Sequence, residues 1–255
     1  MNTALSWIKA YVPDLDVTAQ EYTDAMTLTG TKVEGFTCLD KNLEKIVVGE
    51  ILSVERHPDA DKLVVCQVNV GQAGPVQIVT GAPNITLDSV GEKVPVVLDG
   101  GRVAGGHDGG PLPEEGIKIK KGKLRGVESW GMMCSVEELG AEREMYPDAP
   151  ESGIYILPKD SEPGSDALVI LGMRDVVFEY EITSNRVDCY SVQGIAREAA
   201  ATFRKPFIPP VVTATGNGED INDYLKVRVE NTQLCPRYCA RMLKNIKLAP
   251  SPRWM

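Results

Sequence analysis

Between Lys45 and Leu139 the chain repeats one pattern. A short run rich in Val and Ile is followed by Gly, Pro, Asn or Asp, and then by another short run. The runs are KIVVGEILSVERHP, KLVVCQVNVG, PVQIVTGAP, EKVPVVLDGG, IKIKKGKLRG and VESWGMMCS. β-branched residues favour the pleated strand, and the residues between them favour turns. Several strands of this length, so closely spaced, predict a small barrel or sandwich.

The flanks read differently. Thr18-Ala19-Gln20-Glu21 has the pattern of a capping box, in which a Thr hydroxyl and a Glu carboxylate satisfy each other's backbone amides. Tyr22, Ala25, Met26 and Thr29 follow at helical spacing, Gly30 is a stop, and KVEGFTCL returns as a strand. Beyond the block, PDAPESG (147–153) reads as a linker. GIYILPKD and VVFEYEI then read as strands, and 188–203 as a helix with Asp188 as its N-cap. Val192, Ile195, Ala196, Ala199 and Phe203 give that helix one apolar stripe. KPFIPP (205–210) reads as a stiff proline linker. A last segment, with alternation at Leu225-Lys226-Val227-Arg228-Val229, predicts two strands. A pair that small is not a stable unit, and it runs to Trp254-Met255 with no closing signal, so a cut inside a domain is expected. Neither flank of the β-rich block carries enough apolar surface for its own core. The expected fold class is therefore α+β: one α+β structural domain split into 1–39 and 152–205, a β-barrel at 40–151 inserted in it, and the start of a further β-containing domain at 211–255.

Composition narrows the function classes. Of 255 residues, 43% are hydrophobic and 25% charged, and the formal net charge is −9. A protein that coats nucleic acid needs a broad basic face, so only a local patch is compatible with this balance. The six cysteines include no Cys-x-x-Cys pair and read as reduced thiols, which implies a cytoplasmic chain. His57 and His107 are the two histidines, and the spacing offers no zinc site. The start shows neither a basic n-region nor a long apolar core, and no run approaches the roughly 20 residues of a membrane span.

Four motifs carry candidate residues, each with two readings. HPDADKL, with His57, Asp61 and Lys62, is either a plain hairpin loop or a loop at a barrel mouth where nucleic acid docks. In VTGAPNI, Asn84 either braces its own turn or offers its amide to a base or phosphate. IKIKKGKLRG places Lys118, Lys120, Lys121, Lys123 and Arg125 together, the one basic cluster in an acidic block. It is either a phosphate-neutralising strand or a lysine-protected sheet edge. GVESWGMMCS contributes Ser129, Trp130, Met132, Met133 and Ser135, either core or a surface for stacking on bases. Cys134 has no histidine placed by sequence to activate it. Asn185, Arg186 and Asp188 make a polar corner, read as a helix cap with an Arg–Asp brace.

Taken together these stretches resemble one family. HPDADKLVVCQVNVG, IVTGAPNI and GVESWGMMCS resemble the tRNA-binding OB domain appended to several aminoacyl-tRNA synthetases. EITSNRVDCYSVQGIAREAAA is similar to the strand-corner-helix that follows this domain in the bacterial phenylalanyl-tRNA synthetase beta subunit. LSWIKAYVPDL fits that subunit's N-terminus, and CPRYCARMLKNIKLAPSPRWM the start of its next, editing-region domain. The resemblance implies that the inserted barrel is a five-stranded OB barrel. It implies a partner alpha subunit in a two-plus-two heterotetramer that joins phenylalanine to tRNA with ATP and magnesium. It places the synthetic site on alpha and the editing pocket later in beta. This chain would then hold no catalytic residue, metal or cofactor, would be inactive alone, and would bind tRNA but not DNA or a membrane. Residues 40–148 carry 12 Lys and Arg against 18 Asp and Glu, so tRNA binding is expected to be weak and salt-sensitive. The competing expectations are a free-standing tRNA-binding protein, and a hydrolase of mischarged tRNA, which would need a complete pocket.

Overall fold

The computed structural model describes residues 1–106, 111–216, 218–249 and 251. His107 and Trp254-Met255 therefore lie outside the described residues. Two compact units are present, Met1–Ile208 and Pro209–Met255.

In the first unit the elements are β1 (Asn2–Ala4), α1 (Leu5–Lys9), α2 (Ala19–Leu28), β2 (Val33–Cys38), β3 (Glu44–Arg56), β4 (Val64–Asn69), β5 (Val76–Thr80), β6 (Lys93–Val103), β7 (Ile117–Lys118), β8 (Gly122–Leu124), β9 (Val127–Ser129), β10 (Gly131–Met133), α3 (Ala167–Ile170), β11 (Val176–Tyr180) and α4 (Val192–Phe203). The capping box at α2 forms: the Thr18 hydroxyl accepts from the Glu21 amide at 3.2 Å, and Glu21 accepts from the Thr18 amide at 2.9 Å. Gly30 ends the segment at φ +101°.

The two flanks meet in one sheet. β11 lies between β1 and β2, antiparallel to both, with Asn2 opposite Glu179 and Phe36 opposite Phe178. One core lies against this three-stranded sheet. It joins Ile8, Val12, Tyr22, Met26, Phe178, Ile195 and Ala199. At its centre the buried Tyr180 hydroxyl donates to the Tyr22 hydroxyl at 2.9 Å, which satisfies two polar groups without water.

The inserted block is an antiparallel sheet of six strands in the order β10-β6-β3-β4-β5, with β7 also on β6. The expected five-stranded OB-type barrel is not borne out, and no closed barrel is found among the described residues. Among the described residues β5 meets the β9–β10 junction without a ladder: Trp130 N–H donates to the Gln77 carbonyl at 2.9 Å, and Val79 N–H is taken by the Ser129 hydroxyl at 3.0 Å. A side chain thus occupies an amide that closing strands would pair. Alternation along β4, and along β3 across the bulge between Ile51 and Ser53, sends Ile51, Val54, Cys66 and Val68 to one core with Ile78, Val94, Val96 and Met133.

Three further expectations differ from the structure. The segment read as the strand GIYILPKD pairs at one bridge only, Leu157 with Lys93, and Pro158 follows with no amide to continue. Residues 154–173, read with the split domain, pack on the inserted sheet: Tyr155, Leu157, Leu168 and Met173 share a core with Ile46, Val48 and Val97. Two glycines mark this junction. A Cβ on Gly164 would lie 2.8 Å from the Gly71 Cα, and both residues have positive φ. Finally, the helix expected from residue 188 begins at Val192. Ser191, not Asp188, is the cap, its hydroxyl accepting from Gly194 N–H at 3.0 Å. Residues 187–189 form a separate 3-10 turn, and Gly194 permits its close packing on the helix: a Cβ there would lie 1.9 Å from the Asp188 carbonyl oxygen.

The proline segment after α4 is anchored at its start: Phe207 stacks on Tyr11 at 5.9 Å, and Ile208 N–H donates to the Tyr11 carbonyl at 2.8 Å. In the second unit the two expected strands are not formed among the described residues. A 3-10 turn, Ile221–Asp223, is its one regular element there. Leu225 and Val227 remain exposed, as a ribbon with no apolar partner must leave them.

Candidate nucleic-acid interface

The basic cluster is divided between β7 and the β8–β9 hairpin. The hairpin turns through Arg125 (φ +47°) and Gly126 (φ +91°) between the paired Leu124 and Val127. Two successive positive φ values make the tight turn whose twist matches antiparallel strands. Strand alternation then sorts the side chains. Lys123 lies opposite Glu128, and one step further in the same register places Lys121 opposite Trp130. Lys121, Lys123, Glu128 and Trp130 thus share the outer face, and all four are exposed. The inner face carries Ser129, buried and bonded to Val79 and Gly131. The Lys121 ammonium sits 4.8 Å from the Trp130 ring centre, and Lys123 is 3.7 Å from Glu128. Lys118 and Lys120 are exposed on the adjoining stretch, with Ile119 partly buried behind them.

The other candidates separate into exposed groups and braces. Asp61 and Lys62 are exposed. His57 is 5% exposed and fully engaged. Its Nδ1 accepts from Asp59 N–H at 3.1 Å, so Nε2 carries the proton and donates to the Leu124 carbonyl at 3.0 Å. It therefore ties the HPDADKL loop to the basic hairpin. Asn84 grips the backbone of Ile154 with both ends of its amide, at 2.8 and 2.9 Å. Ser135 and Glu138 bond reciprocally through side chain and backbone. Met132 lines a cleft of about 590 Å³ with Gly81, Pro83, Leu124, Glu137 and Glu151. The structure thus brings the lysines, Arg125 and, through His57, the first loop into one neighbourhood. Asn84 and Ser135 work inside the fold.

At the polar corner, Arg186 spans Asp188 through two hydrogen bonds (3.2 and 3.0 Å) and reaches Glu198 on α4 at 2.9 Å. Asn185 accepts from the Thr183 hydroxyl at 2.6 Å. Asp188, Cys189 and Glu198 could in principle gather a cation, but the Arg186 guanidinium already lies among them and holds the Asp188 carboxyl below its ordinary range. Burial pushes the Cys189 thiol up to about 11 despite that guanidinium, and Cys66 likewise to about 11. Cys134, fully buried, is pushed up as well. These thiols are protonated at neutral pH and are not poised as nucleophiles.

Of the two readings of Trp130, core or surface, the structure shows the surface: alternation from the buried Ser129 puts the next residue outward, among lysines.

No helix among the described residues is long and apolar enough to cross a membrane. Residues 46–166 match the family model described as "Putative tRNA binding domain". The chain is 44% identical to the phenylalanine–tRNA ligase beta subunit of Clostridium tetani and 41% identical to that of Bacillus thuringiensis subsp. konkukian. Both alignments cover 100% of this chain and 30% of the relative. Among solved structures, the MetRS related protein from Pyrococcus horikoshii aligns over 48% of this chain and 87% of its own, at 22% identity and a TM-score of 0.32, too low to bear on the fold. Over its whole length, then, the chain matches a fragment of the phenylalanine–tRNA ligase beta subunit, and it spans about a third of the length of those relatives.

Proposed function

We propose that this chain is the N-terminal part of the beta subunit of a phenylalanine–tRNA ligase, contributing tRNA contact and subunit assembly. The synthetic chemistry, with its ATP and magnesium, is assigned to the alpha subunit of a two-plus-two assembly. The observation that carries the reading is the end-to-end match to beta subunits at 41% and 44% identity, with the putative tRNA binding domain inside it. The geometry supports it through the exposed lysine hairpin, the local basic patch that an acidic body needs in order to touch a phosphate backbone. The inserted sheet is read as an OB-type domain, with Lys118, Lys120, Lys121, Lys123, Arg125, Asp61 and Lys62 facing RNA and His57 positioning the loop.

Native mass spectrometry of the protein purified from its own cells tests this. A larger chain held with a second subunit, two of each, is the expected result. A free chain of this length would overturn it in favour of a stand-alone tRNA-binding protein.

A further inference from the structure

We propose that Trp130 is a stacking platform for one unpaired base, flanked by lysines that hold the phosphates on either side. The inference deepens the tRNA-contact reading above and rests on it. A tryptophan on the solvent face of a hairpin is an unusual placement, since its ring gains nothing from water. Here it is 43% exposed. Its backbone is fixed: Trp130 N–H donates to the Gln77 carbonyl at 2.9 Å, and the Gln77 side chain donates to the Glu128 carbonyl at 2.7 Å. The ring is therefore presented from a rigid strand junction. It borders a shallow pocket of about 350 Å³ walled by Val76 and Leu98, with Lys45 and Asp99 at its polar side.

The surrounding charge selects the occupant. The Lys121 ammonium lies over the ring at 4.8 Å and its backbone N–H donates to Asp99 at 2.7 Å, so a cation on a flexible stem is tethered at the ring, from which a stacked base would displace it toward the phosphates. Lys118, Lys120 and Arg125 are exposed on the same stretch of chain, while Glu128 faces Lys123. A flat π surface beside several cations, in a block that is otherwise acidic, is complementary to a base carried on a phosphodiester chain. Paired bases present no free face, so the site selects single-stranded segments such as the loops or the end of a tRNA.

The test uses the 255-residue chain with unfractionated tRNA, a twelve-nucleotide oligouridylate and a blunt RNA duplex of matching length. Trp130→Leu is expected to weaken tRNA and oligouridylate binding about tenfold, within the range for one base stacked on an aromatic ring. Trp130→Phe is expected to bind within about threefold of the parent, because a smaller ring still stacks. The salt dependence should be unchanged in Trp130→Leu and shallower in a variant with Lys118, Lys120, Lys121 and Lys123 replaced by alanine. In a Trp7→Phe, Trp254→Phe background, Trp130 fluorescence should be quenched by oligouridylate and not by the duplex. Unchanged affinity in Trp130→Leu, or no quenching, would overturn the stacking site. If the lysine variant then still lost affinity, the tRNA-contact reading would survive without it. Failure of the parent chain to bind any of the three RNAs at low salt would defeat both.

Discussion

Replacing Gly194 with alanine isolates what the polar corner does. In an ordinary helix the change is favourable by about 1 kcal/mol, because alanine is the better helix former. Here the added Cβ would lie 1.9 Å from the Asp188 carbonyl oxygen and 3.1 Å from the Cys189 Cα. Ordinary contact begins at 3.4 Å, so corner and helix must part by the difference from 1.9 Å, about 1.5 Å. The obstacle is backbone and cannot rotate away. Parting it disturbs the Arg186–Glu198 contact at 2.9 Å and uncovers Cys189, which is fully buried. Overpacking of this kind costs about 3 kcal/mol at the top of its usual range. Less the helix gain, the net is about 2 kcal/mol of destabilisation, or a fall in Tm of about 4–8 °C for a unit of this size. Far-UV circular dichroism melts of Gly194→Ala beside Ala201→Gly, an exposed position in the same helix, separate the two effects. If propensity alone governed, Gly194→Ala would gain what Ala201→Gly loses. A melting temperature equal to or above that of the parent would refute the close packing of corner on helix.

Other perturbations follow from the same kind of packing. Gly164→Ala meets the Gly71 backbone at 2.8 Å in a left-handed conformation, and should lose about 2–4 kcal/mol in urea titrations. Gly172→Ala, left-handed but with open space around it, should lose only the conformational cost of about 1 kcal/mol. His57→Leu removes the donor to Leu124 and the acceptor of Asp59 N–H; a loss of about 1–3 kcal/mol is expected, with faster amide exchange across 122–129, and unchanged exchange there would refute the brace. Lys93, 2.8 Å from Glu50, holds that carboxyl below its ordinary range. The folded pKa is the lower one, so this stabilisation is present above the ordinary Glu range near pH ~4 and is lost as pH falls through the folded value. Glu50→Gln should therefore flatten the acid limb of the stability–pH curve, and an unchanged limb would show that the pair contributes nothing.

The elements that a local rule dictates were legible in the chain. The Thr18–Glu21 box and the strands of the inserted block follow from spacing and composition. What was not legible depends on which part of the fold lies opposite. Asp188 and Ser191 are equally good helix caps in isolation. The separate 3-10 turn at 187–189, packed closely on the helix at Gly194, takes up the first and leaves the second as cap. Asn84, His57 and Ser135 are types that bind RNA or brace loops with the same atoms, and only their partners in space show that these three brace. The alternation over 225–229 failed for a related reason: Val227 and Val229 have the pattern of a strand, but nothing in the described residues offers them a face to cover.

The three-stranded sheet of the first unit has a consequence for synthesis. Its central strand is the last to be made: Asn2 pairs with Glu179, 177 residues downstream. At about 5–20 residues per second, a nascent chain carries its first strand and its two opening helices unpartnered for roughly 9–35 s. In that interval the inserted sheet, whose widest pairing joins Glu44 to Arg102, 58 residues apart, has all it needs to form. The order of assembly is thereby written into the topology. The block bearing the lysine hairpin matures first, and the frame that holds it closes around it only when residues 176–203 emerge.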